Sequence, residues 1–334
     1  MVAAYYVAVL FIARSQIARE PVLRVNGAEV VDRAVQDGAQ NYLITVSDSA
    51  SNETKGAQIT ALAHLSANEK RIVIVSFPRT TVVDVPPCGT AQKPVPPFTG
   101  TIESAYAAGG ARCSVAAVQE ATGIEINHYI GIDLSKFPRV VDAVGGVDIC
   151  LKSPLKDPDR DLSLPAGTTT LDGRQAADYV RAVNQGSGDD PARASRQIDF
   201  LSKLFSEALS TQTILNPVRA TEFAFASAAA LTLDDDTTLG QLRTLGTALG
   251  DLGKQQASGA AAIVVPPMST DTIDLPDSSE PGLRIDANAG PAMFTAIING
   301  QPLESTSTAQ GGEGGGSGAS EPADPDGAAV VETC

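Results

Sequence analysis

Four short runs rich in β-branched and aliphatic residues constrain this chain most: residues 41–46, 71–77, 127–132 and 147–151. Each is strand-length. Residues 59–64 with the turn Ser66-Ala67-Asn68-Glu69-Lys70 make a hairpin with 71–77, the strongest strand of the chain. Helical stretches fall between and after these runs, at 114–122, 134–144 closed by Gly145-Gly146, 216–230, 239–252 and 288–298. Another strand is expected at 261–265 and a Pro-rich loop at 95–100. Strands alternating with helices predict an α/β fold, a central mixed β-sheet flanked by helices.

Charge and composition narrow the function. The chain has 24 Lys+Arg against 39 Asp+Glu, a formal charge of −15, which argues against a nucleic-acid partner. Two histidines, His64 and His128, are too few for a His-built metal centre and are expected packed in strands. Residues 2–13 are apolar and uncharged up to Arg14. This run is shorter than the ~20 residues that span a bilayer, and it is read as the remnant of an N-terminal membrane anchor over residues 1–20. A folded domain is expected over 21–303, with its core at 41–210, and a Gly/Ser/acidic tail over 304–334. Cys88 and Cys113 lie in loops and can bridge in an oxidising compartment. Cys150 ends an apolar strand, as a buried thiol or an alternative partner, and the sequence does not fix the pairing.

Residues 162–204 read as strand, turn, helix, polar loop and second helix. Arg174, Arg181, Arg193 and Arg196 gather around that loop, an unusual concentration in an acidic chain. Planar guanidinium forks suit phosphate oxygens, so the loop is a candidate anion site, against the plainer reading of a solvated helical hairpin. Asp172 or Thr170 can cap the first helix. Arg193, Arg196 and Gln197 are three and four positions apart and share one face of the second. Arg174 is expected in solvent and Tyr179 in the core. Asp48 leaves the end of the strand at 41–46, and Arg79 leaves the end of the strand at 71–77. Strand ends are where α/β sheets meet ligands, and neighbouring strands would bring this pair together.

These residues, taken in order, resemble the LytR-CpsA-Psr (LCP) family, in its actinobacterial type. The resemblance rests on Ser47-Asp48-Ser49, Ser76-Phe77-Pro78-Arg79, Ala105-Tyr106 with Gly109-Gly110, and Val141-Asp142-Ala143-Val144-Gly145-Gly146-Val147. It continues through Leu164-Pro165-Ala166-Gly167, Leu171-Asp172-Gly173-Arg174-Gln175-Ala176, Tyr179-Val180-Arg181, and Asp190 with Arg193 and Arg196-Gln197. The match spans about residues 41–298, and so many motifs in one order is a specific signal.

The resemblance implies an extracytoplasmic domain tethered to the cell membrane. Such a domain moves a glycopolymer from a polyprenyl-pyrophosphate carrier to peptidoglycan or a related cell-wall glycan acceptor. By carry-over, Asp48 is a Mg²⁺ carboxylate. Arg79, Arg181, Arg193 and Arg196 bind pyrophosphate, Asp190 orients them or acts as a base, and Gln197 supports them. Five positions depart from the family pattern. Ala50 stands for an arginine, Gln58 for the second Mg²⁺ carboxylate, Thr80 for an aspartate, Thr101 for a lysine and Val183 for an arginine. Their loss is expected to weaken binding or turnover. Two readings therefore stand beside transfer: a catalytically impaired homologue that binds polyprenyl-phosphate lipid in a regulatory or structural role, and a polyprenyl-pyrophosphate pyrophosphatase.

Overall fold

A computed structural model describes residues 2–24, 27, 29–49, 57–151, 153–182, 190–208, 210–250, 261–275 and 281–303; the side chains of Val2, Ala3, Gln58, Asp159, Ala261 and of residues 190–198 lie outside the description. The tail at 304–334, Ala50 and Val183 fall outside it as well.

The chain begins with α1 (Val2–Gln16), β1 (Ala18–Glu20), α2 (Arg33–Gln36) and β2 (Gln40–Ser47). A hairpin of β3 (Ala57–Leu65) and β4 (Ile72–Phe77) leads to β5 (Thr81–Val85), β6 (Cys88–Gly89), β7 (Pro94–Val95) and β8 (Phe98–Thr101). Next come α3 (Ile102–Thr122), β9 (His128–Asp133), α4 (Phe137–Val144), β10 (Val147–Leu151), β11 (Leu155–Asp157), β12 (Leu162–Leu164) and β13 (Gly167–Leu171). The helices α5 (Gly173–Arg181), α6 (Asp190–Ala208), α7 (Thr211–Ile214) and α8 (Pro217–Ala230) follow, then β14 (Leu231–Asp234) and α9 (Leu239–Gly250). The described chain closes with β15 (Ala261–Val264), β16 (Met268–Ile273), β17 (Gly282–Ile285) and α10 (Ala289–Ile298).

Seven strands form the central mixed sheet, in the order β1-β14-β9-β2-β3-β4-β15. β2 runs parallel to β9 and antiparallel to β3, which is antiparallel to β4. The continuous apolar runs of β2 and β4 follow from burial on both faces. Leu43, Leu62, Val73 and Val75 pack with α3 and α10 residues such as Val115, Val118 and Phe294. On the opposite face, Tyr42, Ile44, Ile72 and Ile74 pack with Leu245 and Leu249 of α9. At the end of the sheet where β2 stops, Val46 and Ile59 join a cluster with α4, α5 and α6. The expected helix-flanked mixed sheet is the fold.

The structure corrects several expectations. Residues 95–100 are not simply a Pro-rich loop: β8 pairs with β5 in a second sheet, β16-β17-β5-β8. Pro96 and Pro97 precede the strand, where a missing N–H breaks no ladder. The helix expected at 114–122 begins at Ile102, where Thr101 caps it by accepting from the Ser104 N–H at 3.1 Å. Gly109 and Gly110, which precede the expected helix, therefore form a kink within it, with Gly110 at φ 61°. A Cβ on Gly109 would strike the Cys113 sulfur, so that glycine makes room for the Cys88–Cys113 disulfide. Cys150 is not a free thiol; none of the described cysteines is. The helix expected from Leu134 starts at Phe137, with Pro138 in its first turn, where a missing N–H costs no helix bond.

Candidate active site at the edge of the sheet

The register of the sheet brings three strand ends to one edge. Ser47 of β2 lies opposite Asp133 of β9 and Ala57 of β3, and Thr60 of β3 lies opposite Phe77 of β4. Asp48, Asp133 and Arg79 thus leave the sheet at the same edge. β3 separates β2 from β4, so the two strands are not the neighbours that a direct Asp48–Arg79 pair required. Their ends stand about 10 Å apart, two strand spacings. In the structure Asp48 instead pairs with Arg181, and Arg79 lies beside Glu103.

Asp48 is held by Arg181. The Arg181 Nη2 donates to Asp48 Oδ2 at 2.6 Å, with the two side chains 25% and 14% exposed. A second carboxylate, Asp178, stands 4.0 Å from Arg181 Nη1 one turn earlier on α5. Sequence and packing fix that helix well. Asp172 accepts from the Gln175 N–H at 2.8 Å, and the Gln175 side chain accepts from the Asp172 N–H at 3.1 Å, a complete capping box. Asp142 of α4 accepts from the Gly173 N–H at 2.8 Å, and a Cβ on Gly173 would collide with the Pro138 carbonyl. Ala176, Tyr179 and Val180 are buried, which turns Arg181 toward the strand edge. Arg174 is in solvent as expected, 86% exposed.

Arg79 lies beside the first turn of α3. Its Nη1 is 4.0 Å from Glu103 Oε2, and its carbonyl accepts from the Glu103 N–H at 3.5 Å. Glu103 in that first turn is favourably placed on the helix dipole. Thr101 serves as the α3 cap. Asp190, Arg193, Arg196 and Gln197 fall on the first turns of α6, and their side chains lie outside the described residues.

Two residues of this edge escaped the sequence reading. Asp133 accepts from Ser49 Oγ at 2.7 Å, from Ser135 N at 3.0 Å and from Ser135 Oγ at 2.7 Å, with Lys136 Nζ 3.2 Å away. Burial pushes its carboxyl up, but these donors outweigh burial and bring the pKa down to about 2. Ionised and saturated with donors, Asp133 fastens the turn that follows Asp48. The signal was present, since Asp133 ends a strand just as Asp48 does. Tyr106, named only among the family motifs and given no role, donates from its hydroxyl to Ser47 Oγ at 3.1 Å and ties α3 to the end of β2.

The two histidines are structural. His64 Nδ1 meets Asn41 Oδ1 at 2.7 Å, and His128 stacks on Tyr42 at 4.5 Å while meeting Thr237 and Gln40 at 2.7 and 2.6 Å. Among the described residues no three His, Cys, Asp or Glu side chains gather as a metal cage. Asp48 is the carboxylate that would hold a Mg²⁺ ion here, since Mg²⁺ is commonly bound through one or two carboxylates together with substrate phosphates.

The sequence model of the LytR_cpsA_psr family matches residues 6–260. The chain belongs to this family. A probable cell wall biosynthesis protein, LcpB of Corynebacterium glutamicum, is 38% identical over 146 residues, 44% of this chain and 33% of that protein. The polyisoprenyl-teichoic acid–peptidoglycan teichoic acid transferase TagU of Enterococcus faecalis is 28% identical over 173 residues, 52% of this chain and 54% of TagU. The LCP chain thus spans about a third of one curated relative and half of the other. A solved LytR-Csp2A-Psr enzyme from Actinomyces oris shares the fold, at TM-score 0.56 and 20% identity over 84% of this LCP chain and 95% of its own.

Proposed function

We propose that this LCP chain is an extracytoplasmic cell-wall glycopolymer transferase. It takes a glycopolymer from a polyprenyl-pyrophosphate carrier and attaches it to peptidoglycan or a related wall glycan. The observation that carries this reading is the Arg181–Asp48 pair at the sheet edge, with Arg79 two strands away. In the step, an acceptor hydroxyl oxygen forms a bond to the phosphorus that bears the glycan. The phosphoanhydride P–O bond breaks, and polyprenyl phosphate leaves. Such a transfer needs charge neutralisation and positioning more than a covalent nucleophile.

Arg79 and Arg181 supply cations from two sides, and Arg193 and Arg196 on α6 add to them. Gln197 supports that face, and Asp190 orients the arginines or takes the acceptor proton. Asp48 would hold Mg²⁺ jointly with the pyrophosphate, and the bound ion would supply further neutralisation of the leaving phosphate. Asp133 and Tyr106 keep the end of β2 in place beneath Asp48. α1 is the apolar segment by which this reading attaches the domain to the membrane. Its 15 residues reach about 22 Å, short of the ~30 Å hydrocarbon core. No helix among the described residues is long and apolar enough to cross a membrane.

Incubation of the protein with a lipid-linked glycan and peptidoglycan tests the reaction. Glycan bound covalently to the wall polymer, with polyprenyl monophosphate released, is the expected result. Glycan phosphate released only into water would replace this reading with pyrophosphatase action. Binding without either product would replace it with a carrier-binding role.

A further inference from the structure

The large apolar side chains left in solvent are not scattered. Ten are strongly exposed among the described residues, and eight of them fall in two segments: five on α1 and three, Ile214, Leu215 and Val218, where α7 meets α8. Phe11 is 75% exposed, Leu215 75% and Val218 61%. The two segments are joined. The Tyr6 hydroxyl donates to the Ile214 carbonyl at 3.0 Å, and the Tyr5 hydroxyl meets Thr221 Oγ1 of α8 at 2.7 Å. Neither segment carries a charge, over residues 2–13 or over 210–218, in a chain whose formal charge is −15. Contiguous exposed apolar surface of this kind marks a membrane or protein contact. Asn216 caps α8 through the Val218 and Arg219 N–H groups, and Pro217 follows it, so the corner is a rigid presentation of Leu215 and Val218.

We propose that the α7–α8 corner is a second membrane contact, seated in the bilayer interface beside α1. This rests on the reading of α1 as a membrane anchor and extends it. The argument for a lipid surface over another occupant is continuity. The corner is joined to α1 by two tyrosines, the residue type that settles at membrane interfaces, so the two uncharged apolar segments lie side by side. An uncharged apolar patch avoids the repulsion that a strongly acidic protein meets at an anionic bilayer. Two contacts instead of one fix how the domain tilts over the membrane, and therefore where its strand edge meets a membrane-borne substrate.

Co-sedimentation of the full chain with phosphatidylethanolamine/phosphatidylglycerol vesicles tests this without any polyprenyl lipid, so the outcome is independent of the pyrophosphate site. Leu215→Glu/Val218→Glu is expected to lower the vesicle-bound fraction about tenfold. Val35→Glu, at an exposed position away from both segments, is expected to leave it unchanged. Because both corner residues are more than half exposed, the core is untouched; Leu215→Ser/Val218→Ser gives a milder version of the same loss if the glutamates impair folding. Corner variants that bind like wild type, while Phe11→Glu releases the protein, would overturn the second contact and leave the α1 anchor standing. A wild-type chain that does not bind vesicles would overturn both. A concentration-dependent dimer abolished by the corner variants, with vesicle binding intact, would assign the patch to a second copy of the chain instead.

Discussion

Arg181 Nη2 lies 2.6 Å from Asp48 Oδ2, joining the last residue of α5 to the first residue beyond β2 across 133 positions of sequence. The pair is where a cation and a potential metal carboxylate meet at the open edge of the sheet. Arg181 belongs to a capped helix and Asp48 follows directly on a buried strand, so the contact is a positioned one.

Replacing Arg181 by alanine is expected to weaken binding of a polyprenyl pyrophosphate by about 1–3 kcal/mol, roughly fivefold to more than a hundredfold in Kd. Arg181→Lys should fall between, since it keeps the charge and loses the planar fork. Equilibrium binding of the lipid to the three proteins checks both statements.

Arg193→Ala and Arg196→Ala should each weaken the same binding by about 1–3 kcal/mol per lost charge-assisted contact. Unchanged affinity in both variants would remove the first turns of α6 from the site.

The sheet was legible because its central strands are buried on both faces, and double burial writes itself as the unbroken apolar runs of β2 and β4. Asp48 and Arg181 were legible because each ends an element that the sequence delimits clearly, a strand before Ser49 and a capped helix from Asp172. The second sheet was hidden: β5 and β8 are short, and the prolines before Phe98 read as loop. The start of α3 was hidden behind Gly109-Gly110, which normally end helices and here bend one around a disulfide. The direct Asp48–Arg79 pair failed on strand order, since nothing local in either segment says that β3 is inserted between them.

Gly173→Ala should destabilise the fold by about 1–3 kcal/mol, as overpacked positions do. Its Cβ would meet the Pro138 carbonyl and push α5 off α4, carrying Arg181 with it. Denaturant unfolding gives the stability loss, and a parallel loss of lipid binding in the folded protein would show that the helix position matters to the site.

Acid should weaken the fold from near pH 6.5 downward. Burial, aided by the Arg71 charge, lowers the His64 pKa to about 4, and burial lowers that of His128 as well. Between those limits the unfolded chain binds a proton that folded His64 refuses. Its contribution is therefore complete above about pH 6.5 and declines toward pH 4, by at most about 1.4 kcal/mol per pH unit. His64→Gln should flatten this slope in thermal unfolding measured from pH 7 to 4.5, even if it lowers stability at pH 7.

The central claim is that the sheet edge around Asp48 and Arg181 holds a polyprenyl pyrophosphate and processes it. Its most direct test is binding and turnover of that lipid by the full chain, with and without Mg²⁺, beside Arg181→Ala. Tight binding and Mg²⁺-dependent release of polyprenyl monophosphate by the wild type, both reduced in the variant, is the predicted result. Lipid binding and turnover that Arg181→Ala leaves untouched, or a wild type that does not bind the lipid at all, would contradict the account.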